Sequence, residues 1–265
     1  MQKELEFNKQ PHPRLPEEYD LCSRTGLHFY KRAKMREYTE NYFLEEFKNQ
    51  YKKTYYEDEP NLRKLAQKRL SILMSFLNPV EKSLLEVGCA AGFFLDEAAK
   101  LGFQVKGIEI SQKEVEYARN LGHSVDGISF LEYQPKETFD VLAAFFVIEH
   151  FQNQELVLTK IRDLIKKDGY LFLALPSLYG PSYLTNPDDW FSNHPGDHFV
   201  DYSPSSLKSV LEMLGFQICF REPMSFHPQR DRGWRGRFPT KYFYRVLARW
   251  SCYGDTMQIL AKKII

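Results

Sequence analysis

The chain has 265 residues, of which 43% are hydrophobic and 27% charged, and its formal net charge is +1. That length buries a full core as one large domain with an appendage, the composition excludes a disordered chain, and the near-neutral charge removes any global field for nucleic acid. The four cysteines, Cys22, Cys89, Cys219 and Cys252, lie far apart with no C-x-x-C pair, so neither a disulfide framework nor a zinc site is expected, and reduced thiols in a cytoplasmic protein are the default.

Met1–Gln10 is polar, and no apolar run in the chain is long enough to span a membrane, which again favours the cytoplasm. Residues 1–32 read as irregular, because Pro11, Pro13 and Pro16 forbid a continuous helix. Lys31–Tyr51 has helical spacing, with Tyr38, Tyr42 and Phe43 near one face. Two uses fit it: a helix packed on the main domain, or a lid whose tyrosines touch substrate. Asp58-Glu59-Pro60 opens a helix that carries Leu62, Leu65, Ala66, Leu70, Leu73, Phe76 and Leu77 on one face. The expected division is an N-terminal, partly helical extension over 1–59 and a main domain over 60–265.

The main domain starts with a strand at Ser83–Val87. Gly88, Ala90 and Gly92 follow at alternate positions, and helical spacing resumes over Phe93–Leu101. A strand, a tight turn of small residues and a helix make a βα nucleotide-binding unit. Small residues let the backbone approach a ligand, and the helix N-terminus points unpaired N–H donors at the same place. The second strand, Gln104–Ile110, carries Glu109 at its tip, 17 positions after Gly92. An acid there can accept hydrogen bonds from a ribose diol. Ser111 and Glu114 form a capping box for the next helix. A weak third strand falls at His123–Val125 and a fourth at Phe139–Phe146, which runs into Val147-Ile148-Glu149-His150. An amphipathic helix over Glu155–Lys167 and a turn at Asp168-Gly169 lead to the fifth strand, Tyr170–Leu175.

Ser177–Tyr202 has no clear period and holds Trp190, His194, Asp197, His198 and Tyr202; a loop of that length in a compact domain is usually functional. Ser203-Pro204 then opens a helix, Phe216–Phe220 is the sixth strand and Thr256–Ala261 the last. An insertion at about 222–253 separates those two strands. Within it, Gln229–Trp250 contains seven basic residues and one acid. Phe243, Val246, Leu247 and Trp250 share one helical face, while Arg237, Lys241, Arg245 and Arg249 recur on another. Such a helix suits an anionic substrate, membrane headgroups or, less well, nucleic acid; the plainer alternative is a solvated cationic face over a packed helix.

The run Glu86-x-Gly88-x-Ala90-x-Gly92 resembles motif I of the class I S-adenosylmethionine (SAM)-dependent methyltransferases, with Ala90 in place of a glycine. The stretch from Phe139 to His150 and the segment His-Phe-Val-Asp-Tyr-Ser-Pro from His198 resemble further parts of that family. The resemblance implies an α/β, Rossmann-like, seven-stranded mixed sheet with helices on both faces and the last strand inserted antiparallel between the fifth and sixth. It implies SAM as cofactor, held by Glu86, Gly88, Ala90, Gly92, Glu109, Ile110, Phe145 and Phe146. The implied acceptor is a small molecule or glycan precursor methylated at O, N or C. His198 is the first candidate for general base, followed by His150 and His194. The resemblance also implies that a pair such as Glu149–His150 helps bind metal or position substrate in some relatives; no metal is assigned here. Other readings are a non-catalytic SAM-binding protein, an RNA methyltransferase and an NAD(P)-dependent oxidoreductase, the last opposed by the glycine spacing. Oligomeric state has no signal in the sequence.

Overall fold

A computed structural model describes residues 5–35, 54–225, 237 and 239–265. Eleven strands lie among them: β1 (Lys9–Pro11), β2 (Tyr19–Cys22), β3 (His28–Tyr30), β4 (Ser83–Val87), β5 (Gln104–Ile108), β6 (Ser124–Asp126), β7 (Phe139–Phe145), β8 (Ile165–Pro176), β9 (Val200–Asp201), β10 (Phe216–Pro223) and β11 (Thr256–Lys263). Seven of them form one mixed sheet in the order β10-β11-β8-β7-β4-β5-β6. The last strand therefore lies between the fifth and sixth strands of this sheet, as the resemblance implies.

The described chain divides into two compact units. One comprises residues 54–144 and 163–170; the other comprises 5–35, 145–162, 171–225, 237 and 239–265. In the first, β4 pairs in parallel with β5 and β7, and β5 with β6. The helices Glu59–Met74, Phe93–Lys100 and Gln112–Asn120 alternate with these strands. The apolar stripe of Glu59–Met74 buries Ala66, Leu70 and Leu73, as its spacing requires, but Arg69 is buried among them. Ser111 takes the N-cap position of Gln112–Asn120 without a side-chain cap; its N–H is spoken for by a carboxylate described below. Gly107 in β5 is dictated by packing, since a Cβ there would lie 2.6 Å from Cys89 Sγ and 2.8 Å from Leu95 Cδ1.

In the second unit β10 and β11 pair antiparallel, with an irregularity between Ile218 and Phe220. The N-terminal residues, expected to be irregular, instead form the antiparallel ladder β1-β2-β3, which pairs onward with β9. Gly26, at φ +77°, closes the β2-β3 hairpin. The helix expected over Lys31–Tyr51 and its tyrosine face lie, from residue 36 to 51, outside the described residues. The long segment after β8 folds into two short helices, Pro181–Thr185 and Pro187–Ser192, before β9. The turn expected at Asp168-Gly169 is absorbed into β8, where Asp168 takes φ +63°. No described helix is long and apolar enough to cross a membrane.

Candidate active site

In the first unit the turn after β4 places three successive alternate residues at positive φ: Gly88 (+70°), Ala90 (+45°) and Gly92 (+79°). Left-handed backbone at a residue with a Cβ costs about 1–2 kcal/mol. At Ala90 the cost is offset locally, because its N–H donates to Glu109 Oε2 at 2.9 Å. Glu109 Oε1 accepts from the N–H groups of Ile110 (2.8 Å) and Ser111 (2.9 Å). The carboxylate at the tip of β5 thus fastens the β4 turn to the start of the next helix, and it takes the Ser111 N–H that Glu114 would accept in the expected capping box. Burial raises the Glu109 pKa, and the three N–H donors only partly reverse that. A carboxylate has about four lone-pair sites, so the three donors found among the described residues leave one on Oε2. Gly92 caps the Phe93–Lys100 helix, and a Cβ on it would meet Ala118 Cβ at 2.9 Å.

Beneath this turn the unit collects charge that the periodicity did not reveal. Glu86, on β4, is 4% exposed; burial drives its pKa well up against the pull of Arg69. Burial lowers Arg69 to about 10, with Glu86 and Tyr55 opposing. Tyr55 stacks on Phe93, with ring centroids 5.6 Å apart and planes at 11°. Tyr56 donates to the fully buried Glu114 at 2.8 Å. The unit thus buries three carboxylates, Glu86, Glu109 and Glu114, and the Arg69 guanidinium, with Glu109 bonded to the small-residue turn. Arg69 could have been found in the sequence as a charge inside an apolar stripe; Tyr55 and Glu114 carry no such mark. Ile110 is exposed.

The remaining expected residues lie in the second unit. Phe145 packs edge-on against Phe172, centroids 5.5 Å apart. Phe146, at φ +59°, donates its N–H to Ala174 O at 2.8 Å and is partly exposed. The short 3-10 helix Ile148–His150 and the segment before β9 bring all three candidate histidines together. His150 Nδ1 lies 3.1 Å from the Asp197 carbonyl oxygen and 3.2 Å from its carboxylate. His194 Nε2 lies 2.8 Å from Asp201 Oδ2, with both side chains almost fully buried. The His198 ring sits between them, 4.7 Å from His150 and 5.8 Å from His194 by centroids. Tyr202 donates to Gln154 Oε1 at 2.6 Å and is buried, so it braces the cluster rather than facing a ligand.

The three histidines differ electrostatically. Burial opposes a charge on His150, but Asp197 and Glu149 outweigh it and raise its pKa. Burial, reinforced by His150, lowers His198 to about 4, so its imidazole is neutral at pH 7. Burial pushes Glu149 up to about 7. His198 also lines a cleft of about 630 Å³ with Trp190, Asn186, Asp189 and Asn193 among its walls. His150 and His194 do not line it. Although no metal was expected, donor atoms of Glu149, His150 and His198, and of His194, His198 and Asp201, each gather within 4.8 Å; either set has the nitrogen and carboxylate donors that a first-row divalent cation accepts.

The methyltransferase domain family matches residues 56–219. A ubiquinone biosynthesis O-methyltransferase of Rhodopseudomonas palustris (strain BisB5) is 28% identical over 57% of this chain and 64% of its own length, so the match spans less than two thirds of that relative. A protein of the same name from Bartonella quintana (strain Toulouse) is 22% identical over 71% of this chain and 84% of its own. Among solved structures, magnesium protoporphyrin IX methyltransferase from Synechocystis PCC 6803 with bound SAH superposes with a TM-score of 0.57 at 14% identity, covering 84% of this chain and 96% of that one. A SAM-dependent methyltransferase from Archaeoglobus fulgidus gives 0.56 at 19% identity, covering 84% and 99%. These likenesses agree in fold with the seven-stranded sheet described above. By its sequence, over the stretch that includes the β4 turn and the histidine segment, the chain belongs to the methyltransferase domain family.

Proposed function

We propose that the protein transfers a methyl group from SAM to an oxygen of a small-molecule acceptor, within a catalytic domain over 60–265. The observation that carries the reading is the join between Ala90 and Glu109, which fixes a small-residue turn beside a carboxylate with one acceptor site left. On this reading Glu109 takes a ribose hydroxyl, and Gly88 and Gly92 give the backbone room. Arg69 is the matching partner for the cofactor's carboxylate. Ile110 is retained as an apolar contact of the same cofactor. The names of the curated relatives favour oxygen over nitrogen or carbon as the acceptor atom.

When bound, SAM supplies an activated methyl group with a good leaving group, so the protein chiefly aligns the acceptor and excludes water. His198 Nδ1 or Nε2, neutral at pH 7, accepts the hydroxyl proton. A weak base suffices, because an oxygen giving up its lone pair to a methyl group becomes strongly acidic at its O–H. His150, held by Asp197, orients His198; His194, held by Asp201, supports it from the other side. The extension over 1–59 contributes β1–β3, which pair with β9 next to these histidines. The cationic helix in the insertion is assigned to an anionic partner instead of the acceptor.

The test is calorimetric. The wild type binds SAM, Gly88→Arg abolishes binding, and Glu109→Ala weakens it. Unchanged affinity in both variants, or preference for a nicotinamide dinucleotide, would overturn the assignment.

A further inference from the structure

The helix Lys241–Ser251 is docked on its unit by one narrow side. Tyr244 and Ala248 are each 2% exposed and pack with Tyr253, the Tyr244 and Tyr253 rings meeting edge-on at 5.9 Å. Arg249 reaches the buried Glu222 carboxylate at 3.0 Å. The helix ends at Cys252, in left-handed conformation at φ +60°.

What this helix turns outward is unlike an ordinary surface. Phe243 is 72% exposed, Val246 69% and Trp250 80%, with Tyr242 and Leu247 also well exposed. Their spacing, i, i+1, i+4, i+5 and i+8 from Tyr242, puts all five on one arc of the helix. Single exposed apolar residues need no explanation, but a contiguous arc of five large ones does. Lys241 and Arg245 lie four residues apart along one border of that arc, Arg249 continues the row but is turned to Glu222, and Arg237 precedes the helix by one turn. The helix contains no acid.

We infer that Lys241–Ser251 is an interfacial helix that lays its Phe243–Trp250 face into an anionic lipid surface. Aromatic and branched apolar side chains on the outward face, cations along its border and a buried opposite side are the arrangement of a helix lying in the plane of a headgroup layer. Tyr242 and Trp250 have the amphipathic rings that settle at headgroup level, and Lys241 and Arg245 have stems long enough to bring their charges to lipid phosphates. A protein groove would cover the apolar arc, but it gives no reason for a one-sided cationic border with no acid. The inference is independent of the methyl-transfer reading, and failure of either leaves the other standing.

The experiment is co-sedimentation of the full chain with vesicles of phosphatidylcholine alone and of equimolar phosphatidylcholine and phosphatidylglycerol. The expected result is binding to the anionic vesicles that falls about tenfold or more on phosphatidylcholine alone, and by a similar factor in the double variant Val246→Glu, Trp250→Glu. Both side chains face outward, so the variant keeps the wild-type melting curve and SAM affinity. Lys241→Glu with Arg245→Glu reduces binding in the same direction. The inference is overturned if the wild type stays in the supernatant with anionic vesicles, or if binding survives the apolar substitutions. It is equally overturned if those substitutions instead abolish a dimer seen by sedimentation velocity, because the face would then belong to a second protein chain.

Discussion

Of the three histidines, His198 alone lines the cleft, and His150 and Asp197 flank it from behind. His198→Ala is expected to lower turnover by about a hundredfold to ten-thousandfold, the usual worth of a positioned base, while leaving SAM affinity unchanged. Because burial holds His198 near 4, its own contribution to the rate should persist well below pH 6; a profile whose acid limb tracks an unperturbed imidazole would remove it from the role. The residue types of this cluster were legible in the sequence, whereas their pairing was not. His150 with Asp197 and His194 with Asp201 are contacts across a loop, and no local spacing announces them. Arg69 shows the reverse: it is a local feature, a charge in an apolar stripe, whose meaning appears only when Glu86 is seen opposite.

The elements that could be read from sequence are those whose cause is local. The β4 turn needs small residues because backbone passes close to backbone, and Gly88, Ala90 and Gly92 supply them. The helix Pro204–Met213 is equally local: Ser203 accepts from the Ser206 N–H at 3.1 Å, and the Ser206 hydroxyl accepts from the Ser203 N–H at 2.8 Å, closing a capping box with proline in the first turn. Ser203→Ala should cost about 1 kcal/mol, measured as a shift in the denaturant midpoint at constant slope. The elements that escaped have non-local causes. β1, β2 and β3 are three or four residues long and are held by pairing with one another and with β9, far away in the chain. Pro181–Thr185 and Pro187–Ser192 are too short for a period to show; the first is fixed by Asp255, whose carboxylate accepts from the Ser182 N–H and hydroxyl at 2.8 Å each.

Across the whole molecule, the histidine unit ties stability to pH through buried groups. Glu149 is pushed from its ordinary 4.5 up to about 7, so its contribution is complete below about 4.5 and is lost as pH rises through 7. His150, also raised above 6.5, likewise loses its share as pH rises through its folded value. His198, lowered to about 4, works the other way: its share is present above 6.5 and lost as pH falls through 4. Thermal melts should therefore decline from pH 6 to pH 8, and Glu149→Gln should flatten that decline. Equal slopes in the two proteins would show that the Glu149 carboxyl does not titrate in this range.

The pairing of β10 with β11 gives the insertion one more property. Pro223 and Met257 are register partners, so the polypeptide leaves the sheet and returns to it at neighbouring positions on adjacent strands. The excursion therefore begins and ends at the same place, and its described return is held by Asp255 against Ser182. Substitutions on the outward face of Lys241–Ser251 that spare Arg249 and Asp255, which tie the excursion to Glu222 and Ser182, can therefore accumulate without moving a hydrogen-bonded residue of the ladder.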